Sequence, residues 1–134
     1  MAETIELEIV TPERLVVKGR AEDVQIPGRN GYLGILPGHA PLITELSVGE
    51  IIYTSEGTAN RLAVAWGFAE VLPDKVTILA EAAERAEEID VPRAEAARDR
   101  ALQQIKESSD SATYEEAAQA LARAEARLGV AKQS

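Results

Sequence analysis

The chain has 134 residues, 46% hydrophobic but only 4% aromatic, so one domain with an extension is expected and its core must be aliphatic. A formal charge of −9, shared by both halves of the chain, argues against nucleic acid, because phosphate contacts need a concentrated basic face. There is no cysteine, which excludes disulfides and thiolate chemistry, and no run approaches the roughly 20 apolar residues that span a bilayer, so no direct membrane insertion is expected.

Acidic residues stand where a signal peptide has basic ones in Met1-Ala2-Glu3-Thr4-Ile5-Glu6, and no export signal is expected there. From Thr4 to Val10, Ile5, Leu7 and Ile9 alternate with Glu6 and Glu8, the period of a half-buried antiparallel strand. Thr11-Pro12-Glu13 breaks it. Short runs follow at Leu15–Lys18, Glu22–Ile26, Tyr32–Leu36, Pro41–Leu46, Glu50–Thr54, Arg61–Ala65, Phe68–Leu72 and Lys75–Ala80. Turn residues bound them, among them Pro27-Gly28-Arg29-Asn30-Gly31, Pro37-Gly38, Ser55-Glu56-Gly57 and Pro73-Asp74. Many short strands with polar turns predict an antiparallel β-sandwich over residues 1–84.

The character of the chain changes near residue 81. Eight of the nine glycines precede it, and alanine dominates after it. Glu81–Glu88 reads as an acidic connector into a two-helix antiparallel hairpin over residues 85–134. Asp90 is a natural N-cap with Pro92 in the first turn, so the first helix is expected over Val91–Glu107, with Ala94, Ala97, Ala101 and Ile105 as a seam and Leu102 beside it. Ser108-Ser109-Asp110-Ser111 is the loop, and Thr113 with Glu116 suggests a capping box for a second helix running to about Val130 along Ala117, Leu121, Ala124 and Leu128. Each Ala in place of Leu forgoes roughly 2 kcal/mol of burial, so the hairpin should be held weakly.

Catalytic chemistry finds little support. His39 is the only histidine, it follows a Pro-Gly turn, and no nucleophile is arranged near it, which favours a structural or interface role. A metal site lacks both cysteine and a histidine pair. Gly28, Gly31 and Gly34 have phosphate-loop spacing but no following helix, so they are read as turn and bulge glycines.

The segments Val10-Thr11-Pro12, Gly31-Tyr32-Leu33-Gly34-Ile35-Leu36-Pro37-Gly38-His39-Ala40-Pro41-Leu42, Gly67-Phe68-Ala69-Glu70-Val71 and Val76-Thr77-Ile78-Leu79-Ala80 together resemble the epsilon subunit of F-type ATP synthase along essentially the whole chain. The resemblance implies a non-catalytic rotor subunit, peripheral at the cytoplasmic face of a bacterial membrane. It implies a sandwich that joins the gamma subunit to the c ring, with Tyr32 and His39 in the segment presented at that interface. It also implies helices that permit ATP hydrolysis when folded on the sandwich and inhibit it when extended toward the alpha and beta subunits. As one continuous helix, residues 90–130 would reach ~60 Å.

Ile89-Asp90-Val91-Pro92-Arg93-Ala94 resembles the I/L-D-x-x-R-A motif of those bacterial epsilon subunits that bind ATP in the folded hairpin. Carried over position by position, the resemblance implies ATP contacts at Glu84, Ile89, Asp90, Arg93, Ala94, Arg100, Arg123 and Arg127. ATP would then be a regulatory ligand, with no cofactor required. Arg123 and Arg127 are four apart, on one helical face. The plain alternative is that Asp90 only caps and the arginines only pair with Glu95, Asp99 and Glu125. A rival of another class is a free-standing ligand-binding β module whose helices dimerise.

Overall fold

The computed structural model describes residues 3–132. Met1, Ala2, Gln133 and Ser134, where the export-signal reading begins and the second expected domain ends, lie outside them. The chain forms β1 (Ile5–Val10), β2 (Leu15–Ala21), β3 (Asp23–Gly28), β4 (Gly31–Ile35), β5 (Leu42–Leu46), β6 (Gly49–Ser55), β7 (Thr58–Val71) and β8 (Lys75–Arg85), a 3-10 turn at Ala86–Glu88, then α1 (Val91–Glu107) and α2 (Ser111–Lys132). This is the β-sandwich with a C-terminal helical hairpin that the sequence predicts.

The alternation in β1 sends Ile5, Leu7 and Ile9 inward, each nearly inaccessible to solvent. They meet Val24, Ile26, Ile51, Leu62, Val71, Val76 and Ile78 in one aliphatic core. The strands run in the order β2-β1-β8-β7-β5-β3-β4, and β6 closes the fold by pairing with both β3 and β7. All pairings are antiparallel except β1 with β8, which is parallel, Leu7 opposite Val76.

Two strand expectations change. The runs Arg61–Ala65 and Phe68–Leu72 are one strand, β7, interrupted by a bulge at Trp66-Gly67 where both residues take positive φ, 56° and 125°. Before the bulge β7 pairs with β6, and after it with β5, so one strand serves both layers. Only glycine fits the second position, since a Cβ on Gly67 would lie 2.0 Å from the Leu79 carbonyl oxygen. Nor is residue 81 the end of β8: the supposed connector continues as strand to Arg85, opposite Leu62 on β7. Partner strands satisfy the backbone there, and this outweighs the low β-propensity of Glu and Ala.

Helix α1 has the expected bounds. The Asp90 carboxylate accepts the Arg93 N–H at 3.1 Å, and Pro92 occupies the first turn. For α2 the cap is Asp110, not Thr113: its Oδ1 accepts the Thr113 N–H at 2.7 Å and its Oδ2 the Thr113 hydroxyl at 3.0 Å. Asp110 outcompetes Thr113 because one carboxylate satisfies two donors at once. Ala94, Ala101, Ala117, Ala124 and Leu128 are buried, while Leu102 stays 42% exposed. Helix α1 packs mainly on α2, and α2 carries the hairpin onto β6, β7 and β8. That seat is small: Ala63, Ile89 and Val130 are buried in it, with Ala86, Ala126 and Ala131 alongside.

Candidate functional site

Between the hairpin and the β7–β8 surface lies a cleft of about 340 Å³. Its apolar lining comes from Ala63, Val64 and Ala65 on β7 and Ala97, Ala120 and Ala124 on the helices. The space exists because these side chains end at Cβ or shortly beyond, leaving two close-packed elements unable to fill the gap between them. Four polar side chains converge on it: Glu84 from β8, Arg100 from α1, and Arg123 and Arg127 from α2. Gln104 is a fifth polar neighbour, which the motif did not point to. An uncharged side chain on the exposed face of a helix carries no sequence signal for such a place.

Arg127 is already engaged. Its Nε lies 2.8 Å from Glu84 Oε1, an ion-pair distance. The Nε–H is nevertheless aimed off that oxygen, leaving a buried donor without a directed hydrogen bond. The hydrogen bond that does form runs from Nη2 to Glu84 Oε2 at 3.4 Å. Among the described residues, Arg100 and Arg123 have no ion-pair partner, and Glu95 and Glu125 take up none of these arginines, while Asp99 is occupied by Arg98 at 3.2 Å. Three guanidiniums and one carboxylate thus give the cleft an excess of two positive charges in a chain of net −9. Planar forks of this kind match phosphate and carboxylate oxygens.

The other motif residues do something different. Ile89, 8% exposed, is buried in the cluster with Ala63 and Val130. Asp90 caps α1 through the Arg93 N–H, and the Ala94 N–H donates to the Asp90 carbonyl. Ala94 is fully buried and the Arg93 side chain is exposed. These four shape the entry to α1 and lie outside the cleft lining.

Tyr32 lies near the start of β4, and His39 lies beyond its end. The Tyr32 ring is 52% exposed and its Oη accepts the Glu50 N–H at 3.0 Å. His39 lies in the loop after β4, its Nδ1 2.7 Å from the Ala40 carbonyl, and the neighbouring Gly38 N–H donates to Pro73 at 2.8 Å. Sequence reasoning missed a third surface. Phe68 stands directly opposite Leu79, with Ile43 on the next strand of the same face, and all three are more than half exposed. The period of two held the signal, for once Val76 and Ile78 are core, Leu79 must point out. Among the described residues no cluster of acids or histidine is placed to hold a metal ion, and no helix is long and apolar enough to cross a membrane.

Sandwich, hairpin and cleft define a class that comparison with known proteins identifies. Residues 4–86 match the β-sandwich domain of the ATP synthase delta/epsilon chain, and residues 87–132 match its long α-helix domain. An ATP synthase epsilon chain of Koribacter versatilis is 72% identical over 108 residues, 81% of this chain and 76% of its own. One from Syntrophobacter fumaroxidans is 50% identical over 134 residues, the whole of both. A chain in the structure of Euglena gracilis mitochondrial ATP synthase, solved as OSCP/F1/c-ring, superposes with a TM-score of 0.82 at 25% identity, over 96% of this chain and 81% of that one. The chain belongs to the ATP synthase delta/epsilon family, and within it to the bacterial epsilon chains. It is a subunit of a larger complex and not a catalyst on its own.

Proposed function

We propose that this chain couples the gamma subunit to the c ring at the cytoplasmic face of the bacterial membrane, and that its hairpin is a switch set by ATP. Docked, the hairpin holds ATP and permits hydrolysis. Extended toward the alpha and beta subunits, it inhibits. The observation that carries this reading is the cleft itself. Its walls come from α1, α2, β7 and β8 together, so it exists only while the hairpin is docked, and its unpaired arginines favour an anion. A ligand that binds only the docked state, at a hundred times its dissociation constant, stabilises that state by ~2.7 kcal/mol. That suffices to reverse a preference of one or two kcal/mol. The small seat under α2 supports a low cost of release. The face of Ile43, Phe68 and Leu79 is the apolar area the sandwich offers to the gamma subunit, since exposed apolar clusters on an ordered sheet suit a partner.

The test has two arms. Calorimetric titration of the full chain with ATP is expected to show one site per chain. Truncation after Glu88 is expected to leave a folded sandwich, since the main core draws on nothing beyond Ala83. In the assembled enzyme the truncated subunit should preserve coupling and raise ATP hydrolysis. No heat with millimolar ATP would refute the gate, and an unchanged hydrolysis rate would refute inhibition.

A further inference from the structure

The Gly49-Glu50 corner of β6 is touched from two sides. On one, Tyr32 Oη accepts the Glu50 N–H at 3.0 Å and presses on Gly49 so closely that a Cβ there would lie 2.6 Å from it. On the other, α2 crosses the Glu50 side chain at Gly129, where an added Cβ would lie 3.0 Å from Oε2. Arg61 Nη1 holds the same carboxylate through Oε1 at 3.1 Å. Glycine inside a helix is disfavoured relative to alanine. In α2 it occurs at the point where the helix comes down on Glu50.

We infer that the contact Tyr32–Glu50–Gly129 couples the exposed Tyr32 face to hairpin docking, so that a rotor partner which turns the phenol ring outward loosens the hairpin. This rests on the reading of the hairpin as mobile. The physical link is short. One hydrogen bond from Tyr32 fixes the backbone at Glu50, Arg61 holds its carboxylate, and together they set where Oε2 lies beneath Gly129. When Tyr32 leaves, the Glu50 N–H loses its partner, the corner shifts, and the carboxylate moves into the space Gly129 needs. Docking of α2 is the two-state element, and both sites bias it.

The chain has no cysteine. Spin labels can therefore be placed at Thr58→Cys and Gln119→Cys, and pulsed distance measurements on the full-length chain read the ratio of extended to docked hairpin. Tyr32→Phe removes only the hydroxyl and is expected to raise that ratio ~3-fold, the size of one modest hydrogen bond. Gly129→Ala is expected to raise it by a similar or larger factor through crowding. In a Glu50→Ala background, which empties the space under Gly129, Tyr32→Phe should have no effect, because the link is cut. A Tyr32→Phe ratio equal to the parent's, or an undiminished effect in the Glu50→Ala background, would overturn the coupling and leave the mobile hairpin standing. A single docked distance in the parent and in every variant would overturn both. Circular dichroism melting of each variant keeps sandwich damage separate: a Tyr32→Phe effect that appears only with a lowered melting temperature also overturns the coupling.

Discussion

Arg127 of α2 reaches Glu84 of β8 with Nε 2.8 Å from Oε1, so one ion pair ties the hairpin to the sandwich at the rim of the cleft. Both side chains are partly exposed, and such a pair is worth up to about 1 kcal/mol. Its position therefore matters more than its strength. A phosphate entering the cleft meets Arg127 already oriented and two further guanidiniums that have no ion-pair partner among the described residues.

Arg123→Ala combined with Arg127→Ala should abolish ATP binding while the sandwich melts within a few degrees of the parent, since neither side chain contributes to the main core. In the assembled enzyme the double variant should inhibit at ATP levels that relieve the parent. Calorimetry with ATP and a thermal melt on one preparation check both halves. Retained binding would reduce these arginines to surface charges.

Phe68→Asp should weaken association with the gamma subunit by tenfold or more and cost the sandwich only ~1–2 kcal/mol, because the ring is 54% exposed. Tyr32→Asp and His39→Asp belong in separate proteins, since Tyr32 lies on β4 and His39 in the loop that follows it. Binding to immobilised gamma, followed by addition of the c ring, would assign each to its partner. Equal affinity for gamma with Phe68→Asp would remove that face from the interface.

Gly67→Ala should destabilise the chain by roughly 3 kcal/mol or more, combining backbone strain at φ 125° with a clash against the Leu79 carbonyl. Gly34→Ala is the control, for a Cβ there meets nothing within 4 Å. Urea unfolding of the two variants gives the comparison. Similar midpoints would mean that the bulge relaxes freely.

Acid should loosen the linker and the hairpin turn. The Arg85 N–H, ahead of the nearby Arg14, holds the Glu88 carboxyl below its ordinary 4.5, although partial burial opposes this. The Thr113 N–H and hydroxyl hold Asp110 below its ordinary 3.8. For a carboxylate lowered by folding, the stabilisation is complete above the ordinary value and is lost as pH falls through the lower folded one. The amide chemical shift of Arg85 should therefore stay constant at neutral pH and move only below about pH 4.5, and that of Thr113, with fraying at the start of α2, only below about pH 3.8. Asp110→Asn should remove that limb at Thr113 only.

What was legible in the sequence was local. The alternation of Ile5, Leu7 and Ile9 sets the buried face of β1, and Asp90 with Pro92 sets the start of α1, because a strand period or a helix cap is decided within a few residues. The cap of α2 was a local competition that Asp110 won over Thr113 by satisfying two donors. Tertiary structure decided the rest. Whether residues 61–72 make two strands or one depends on Trp66-Gly67 bending between partners in two layers, and whether β8 ends at Ala80 or Arg85 depends on β7 lying beside it. That extension carries Glu84 on the sheet to its place against Arg127, 43 residues away. The motif named Arg100, Arg123 and Arg127, but only the packing of α1 on α2 and of α2 on the sheet brings them to one cleft, since spacing along a helix fixes a face and not what that face meets.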